Sequence, residues 1–242
     1  MTTADLARKV IIALDVKGRE EAYDLAAKLR EALVFKIGLE LFTAEGPTLF
    51  KKFRALRKEI FLDLKLHDIP NTVAGAVASG MRHGVRMMTI HASGGREMMA
   101  RAAERAREAA ASANAPRPIL LGVTVLTSLR GPDLAEVGMD ADVEAQVRRL
   151  AGLAKTAGLD GVVCSPQEIE ALRHDFGRDL VIVTPGIRPA WAAQQDQKRT
   201  MTPGEALAKG ADYLVIGRPV TGAPDPREAF LRVVEELGQS GR

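Results

Sequence analysis

Residues 61–72 read F-L-D-L-K-L-H-D-I-P-N-T, and this stretch decides how the rest of the chain is interpreted. Up to Leu66 it alternates, with leucines on one face and with Asp63 and Lys65 on the other. A period of two residues is typical of a β-strand, in which these two side chains would lie about 7 Å apart. The leucine face is predicted to pack on helices, so the polar face needs its own explanation.

Two interpretations of that polar face are open. In an antiparallel strand it would face water, but the other predicted strands are nearly all apolar, as parallel strands covered on both faces are. Beside such strands Asp63 and Lys65 point into the interior, where a charged pair is costly to bury and is a candidate functional site. Asp68 follows just past the strand, and Asn71 or Thr72 could simply cap the next helix.

Strand and helix patterns alternate eight times along the chain, which favours a closed parallel barrel over an open sheet. The predicted strands are 10–14, 34–38, 60–66, 86–91, 119–126, 161–164, 180–184 and 213–216. The main predicted helices are 20–29, 47–56, 72–82, 96–111 and 143–157, with others beginning at 166, 203 and 226 and a short one within 129–140. The length of 242 residues also suits one such barrel. We therefore predict an α/β fold in which residues 1–242 form a single (β/α)8 TIM barrel.

Composition narrows the class of function. Hydrophobic residues make up 46% of the chain and charged residues 27%, which is ordinary for a globular protein. The net charge of +3 and the 4% of aromatic residues favour a small anionic ligand over nucleic acid. With no signal-peptide core and no apolar run long enough for a membrane, we expect a cytoplasmic protein without a membrane partner. The single cysteine, Cys164, is predicted to be a small buried residue rather than a reactive thiol.

Active residues of a parallel barrel lie at the carboxyl ends of its strands. Polar residues occupy nearly all of those positions here, namely Asp15, Lys36, Asp63, Lys65, His91, Thr127, Ser128, Arg188 and Arg218. Glycine and arginine follow both the seventh and the eighth strand, where this fold commonly binds phosphate; turn glycines beside solvated arginines are the alternative. The histidines show no metal-binding spacing, and His91 is interpreted as structural, so no metal or other cofactor is expected.

The motif D-x-K-x-x-D-I-P-N-T closely resembles the signature of the orotidine 5'-phosphate decarboxylase family. Further pieces resemble that family along essentially the whole chain, at 123–128, 158–165, 183–189 and 215–219. The resemblance implies a homodimeric carboxy-lyase that converts orotidine 5'-phosphate to uridine 5'-phosphate in pyrimidine biosynthesis without a cofactor. The polar stretch 189–200 is predicted to be a lid over the phosphate.

The resemblance also implies roles for individual residues. A network of alternating charges would consist of Lys36, Asp63, Lys65 and Asp68, with Lys65 as the proton donor. Asp68, Ile69 and Thr72 would reach the active site of the partner subunit. The implied substrate contacts are Asp15 and Lys36 for the ribose, Thr127 and Ser128 for the pyrimidine, and Arg188, Gln197, Gly217 and Arg218 for the phosphate.

The residues themselves support such a network, because alternating acids and lysines keep each other ionised. Three alternatives remain. A metal-dependent sugar-phosphate barrel resembles the chain in D-x-K-x-x-D but carries an acid where Lys36 stands. An aldolase would need Lys65 as a neutral amine, which the neighbouring acids oppose. A barrel that only binds a phosphate ligand has no need for paired lysines and acids.

Overall fold

The computed structural model describes residues 2–192 and 200–239. Within them, parallel strands follow one another in chain order around a closed barrel. The strands are β1 (Val10–Leu14), β2 (Val34–Gly38), β3 (Glu59–Leu66), β4 (Met87–His91), β5 (Ile119–Val123), β6 (Gly161–Val163), β7 (Val181–Thr184) and β8 (Tyr213–Ile216). The ring closes because β1 pairs in parallel with both β2 and β8. The predicted (β/α)8 barrel is therefore confirmed.

Helices follow the strands as predicted. Their bounds are α1 (Thr3–Ala7), α2 (Arg19–Lys28), α3 (Leu39–Glu45), α4 (Phe50–Ala55), α5 (Pro70–Arg82), α6 (Arg96–Ala113), α7 (Gly131–Glu136), α8 (Val143–Thr156), α9 (Ile169–Phe176), α10 (Pro203–Lys209), α11 (Arg218–Thr221) and α12 (Pro226–Gln239). Short 3-10 turns occur at Pro47–Leu49, Ala92–Gly94 and Pro166–Glu168. The sequence patterns did not predict α1, α3 or α11.

Local sequence explains where two of the helices begin. Before α10, Thr202 Oγ1 accepts a hydrogen bond from the Glu205 amide, and the Glu205 carboxylate accepts one from the Thr202 amide at 2.9 Å. This capping box was predicted and is confirmed. At α5 the cap position is Ile69, which makes no side-chain cap, while Asn71 and Thr72 lie inside the first turn. The interpretation of those two residues as caps is therefore wrong; Pro70 begins this helix with its fixed φ.

The fifth strand is shorter than predicted. It ends at Val123 because the chain then turns sharply, with the Leu129 amide donating to the Leu126 carbonyl at 2.9 Å. Thr127 and Ser128 occupy the middle of that turn.

The chain forms two compact units, one made of residues 1–63 and 184–242 and the other of residues 64–183. In the first, the rings of Phe35 and Phe53 lie 5.7 Å apart and are fully buried. In the second, Met99 and Leu121 are fully buried, and Cys164 is buried as predicted. Burying each such side chain contributes about 1.5–3 kcal/mol. That residues 1–242 form a single domain stays a prediction. No helix in the described residues is long and apolar enough to span a membrane.

Candidate active site

A lysine lies between two carboxylates in the first unit. Lys36 is on β2, and its Nζ is 3.3 Å from Asp15 Oδ1 and 3.7 Å from Asp63 Oδ2. Parallel pairing places these residues together, since Asp15 directly follows β1 and Gly38 of β2 pairs with Asp63 of β3. The side chains of Lys36 and Asp63 are only 13% and 12% exposed, against 63% for Asp15, so water weakens the Asp15 contact most.

A cavity of about 150 Å³ adjoins this group. Predicted site residues along its wall are Asp15, Lys36, Arg188, Gly217 and Arg218. Pro185, Gly186 and Ile187, from the loop after β7 that was predicted to bind phosphate, also line the wall. Ala13, Val215 and Pro219 complete it and were not predicted. Two guanidinium groups and an ammonium on one small cavity favour an anionic ligand.

Backbone geometry holds the arginine side of the cavity. Arg188 is 8% exposed, and its amide donates to the Met201 carbonyl at 2.9 Å. Gly186 has a φ of 78°, which glycine adopts without strain. A Cβ on Gly217 would lie 3.4 Å from the Ala13 side chain, which is an ordinary van der Waals contact, so packing alone does not require glycine at this position.

Lys65 lies on β3 with an unusual backbone conformation, a φ of 50°. Its amide donates to Thr89 Oγ1 of β4 at 2.8 Å. The alternation predicted for this strand assumes extended backbone at every residue, and Lys65 departs from it. The leucine face is likewise less regular than predicted, because Leu62 is buried but Leu64 and Leu66 are half-buried.

The residues expected to serve a partner subunit are exposed. Asp68 follows β3, and its Oδ1 accepts a hydrogen bond from the Ile69 amide at 2.6 Å. Ile69 is 68% exposed, although large apolar side chains are usually covered. Thr72 is exposed on the first turn of α5.

The remaining predicted residues fall in different places. Thr127 and Ser128 are exposed in the turn after β5. The His91 ring lies 5.5 Å from that of His67 and is half-buried. Gln197 lies outside the described residues, so its predicted phosphate contact stays a prediction.

The chain just before residue 193 is fastened to α12. The Arg232 guanidinium lies 4.4 Å from the centre of the Trp191 ring, a cation–π contact. The Ala190 amide donates to the Glu236 carboxylate at 3.4 Å. Burial raises the pKa of Glu236, which the bond from Ala190 partly offsets. The predicted lid begins at this anchored segment and remains a prediction.

Across the described ranges, no group of three or more His, Cys, Asp and Glu side chains could hold a metal ion. Whether the reaction needs a cofactor is a separate question, and its answer stays a prediction.

Sequence reasoning did not single out Thr89. A signal was available, because Thr89 is the one hydroxyl residue of the strand M-M-T-I-H and has apolar residues on both sides. A fully buried threonine in a strand needs a hydrogen-bond partner, and the Lys65 amide supplies one.

Fold and site together define a barrel enzyme in which a lysine paired with two carboxylates adjoins an arginine-lined cavity. The model of the orotidine 5'-phosphate decarboxylase / HUMPS family matches residues 8–233. The chain belongs to that family, and the predicted resemblance is confirmed.

Individual relatives agree with this placement. The chain is 53% identical over 231 residues to orotidine 5'-phosphate decarboxylase of Syntrophotalea carbinolica, covering 95% of each chain. It is 51% identical to the enzyme of that name from Moorella thermoacetica, covering 95% of this chain and 92% of the relative. A crystal structure of orotidine 5'-phosphate decarboxylase from Lactobacillus acidophilus has a TM-score of 0.85 at 38% identity, covering 95% of this chain and 99% of that one.

Proposed function

We propose that this chain decarboxylates orotidine 5'-phosphate to uridine 5'-phosphate, without a cofactor, in pyrimidine biosynthesis. The observation that carries the proposal is Lys36, held by Asp15 and Asp63 on a cavity that Arg188 and Arg218 also line. A nucleoside monophosphate offers ribose hydroxyl groups to Lys36 and its two carboxylates. It offers phosphate oxygens to the two arginines. The names of the relatives and the coverage of their chains support this substrate.

In the proposed reaction the bond between pyrimidine C6 and the carboxylate breaks, and its electron pair stays on C6. The ring delocalises that carbanion poorly, so a cation beside C6 lowers the barrier. Lys65 supplies this cation and then transfers a proton from its Nζ to C6. Asp63 precedes Lys65 by two residues on β3 and lies beside Lys36, which supports the alternating network of charges.

Binding of the phosphate is assigned to Arg188, Gly217, Arg218 and Gln197. An arginine offers a planar fork to phosphate oxygens, and two of them on one cavity can hold a dianion. Binding energy from this distant group holds the reacting ring in place and so contributes to the rate. Asp15 and Lys36 contact the ribose, and the exposed turn at Thr127 and Ser128 contacts the pyrimidine.

The active protein is proposed to be a homodimer in which Asp68, Ile69 and Thr72 complete the partner's site. Their exposure supports this, because exposed side chains are accessible to a second subunit. In a two-fold dimer each subunit would give these residues to the other.

The test is an ultraviolet assay of purified protein with orotidine 5'-phosphate, run with and without a chelator. We expect turnover to uridine 5'-phosphate at the same rate in both. Activity lost in chelator and restored by magnesium would favour a metal-dependent sugar-phosphate reaction. Substrate trapped on Lys65 by borohydride would favour an aldolase, and binding of uridine 5'-phosphate without turnover would leave only a binding protein.

A further inference from the structure

Lys65 adopts a backbone conformation that a strand residue rarely takes. Among the described non-glycine residues, positive φ occurs at Arg57, Lys65 and Asn114. Arg57 lies in the turn after α4, and Asn114 is the left-handed cap of α6, where such angles are common. Lys65 instead lies inside β3. A left-handed conformation is strained for a residue other than glycine, so the surrounding structure must hold Lys65 there.

Thr89 supplies a contact that does so. It is fully buried on β4, and its Oγ1 accepts the Lys65 amide at 2.8 Å. This hydrogen bond offsets part of the strain, and it fixes the plane of the peptide between Leu64 and Lys65, from which the φ of Lys65 is measured. A β-branched side chain also has few χ1 choices, so the hydroxyl of Thr89 has few alternative positions.

We propose that Thr89 is a positioning residue for Lys65. Its hydroxyl holds the Lys65 backbone in the left-handed conformation and thereby sets the direction from which the ammonium approaches the reacting carbon. This inference rests on the proposed function, in which Lys65 is the proton donor. A shift of about 1 Å in a catalytic group is enough to lower a rate by about a hundredfold, so a lost backbone contact should slow the chemistry.

The experiment compares three substitutions at this one position. Thr89→Val keeps the shape and removes the hydroxyl, Thr89→Ser keeps the hydroxyl, and Thr89→Ala differs from the serine variant by the hydroxyl alone. Thr124→Val is the matched control, because Thr124 is also buried and its hydroxyl donates to the Val163 carbonyl at 2.9 Å, away from the Lys65 amide. Single-turnover rates with orotidine 5'-phosphate report the chemistry, and titration with uridine 5'-phosphate reports nucleotide binding.

We expect Thr89→Val to slow the single-turnover step at least about tenfold while the dissociation constant for uridine 5'-phosphate changes less than about threefold. Thr89→Ser and Thr124→Val should stay within about threefold of the wild-type rate. If the valine variant does not fold, the serine and alanine variants carry the same comparison.

Two results would overturn the inference. One is a folded variant without the hydroxyl that reacts at the wild-type rate. The other is a loss of rate matched by an equal loss of nucleotide binding, which indicates a general structural role. A wild-type protein that binds uridine 5'-phosphate but does not decarboxylate would refute the proposed function and, with it, this role of Thr89.

Discussion

Replacing Lys58 with methionine is expected to destabilise the first unit, because this lysine is a buried cation. It is 9% exposed, between α4 and β3. Its Nζ donates to the carbonyls of Leu29, Arg30 and Ala32 at 2.9, 2.9 and 2.7 Å, and it lies 5.6 Å from the centre of the Phe35 ring. These carbonyls lie at and just beyond the end of α2, where carbonyl groups lack partners within the helix.

The size of the effect follows from those contacts. Three hydrogen bonds from a charged donor contribute about 1.5–3 kcal/mol each, or roughly 6 kcal/mol together. Methionine fills most of the same space. It also avoids the cost of burying an ammonium group away from water, which is several kcal/mol and offsets part of the lost hydrogen bonding. Burial does lower the pKa of Lys58, which reflects that cost. The expected net loss is about 3 kcal/mol in the free energy of unfolding.

Urea unfolding followed by circular dichroism measures this loss. Lys51→Met is the matched control, since Lys51 is exposed on α4 and its replacement should change stability by less than about 0.5 kcal/mol. A Lys58→Met protein within about 1 kcal/mol of wild type would refute the reasoning, because the carbonyls would then have found other partners.

Three further outcomes are expected. The Lys65→Ala protein should lose turnover yet still bind uridine 5'-phosphate, whereas Arg218→Ala should mainly weaken nucleotide binding. Titration and rate assays separate the two effects. A near-native rate for Lys65→Ala would exclude Lys65 as the proton donor. Equal amounts of Lys65→Ala and Asp68→Ala protein, mixed and allowed to exchange subunits, should form mixed dimers as about half of all dimers. Each mixed dimer has one intact site, so about a quarter of all sites should recover activity. No recovery despite proven exchange would exclude a shared site. Because burial raises the pKa of Glu236, its protonated form stabilises the fold at low pH and that stabilisation is lost as the pH rises through the folded-state pKa. Glu236→Gln should therefore gain thermal stability relative to wild type as the pH rises above about 4.5, the ordinary pKa of a glutamate carboxyl, and an unchanged difference would contradict this sign.

The barrel could be predicted because its signal repeats. Apolar runs of strand length alternate with amphipathic helices, and every such unit favours the same architecture. The short helices α1, α3 and α11 escaped prediction because four to seven residues contain too little of a 3.6-residue period. The end of β5 was misplaced because Val125 and Leu126 continue the hydrophobic pattern past Val123, where the strand ends, and hydropathy alone does not show where sheet pairing stops.

The candidate site was predictable as a set of residue types at strand ends, and Asp15, Lys36 and Asp63 do lie together. Two features could not be predicted in this way. The left-handed φ of Lys65 occurs beside a hydrogen bond to a hydroxyl 24 positions away, and no local pattern encodes that contact. Lys58 resembles any solvated lysine in the sequence, because its burial depends on how α2 ends against β3.

The contact between Arg232 and Trp191 gives the protein an optical signal of its own. Trp191 is the single tryptophan of the chain, so the emission spectrum of the whole protein comes from one indole beside a guanidinium. Arg188, which lines the cavity, is only three residues earlier. The fluorescence emission of Trp191 should therefore shift when a phosphate ligand binds Arg188. Ligand binding could then be titrated by fluorescence without a label. Arg232→Met would change the starting spectrum while leaving the cavity wall intact.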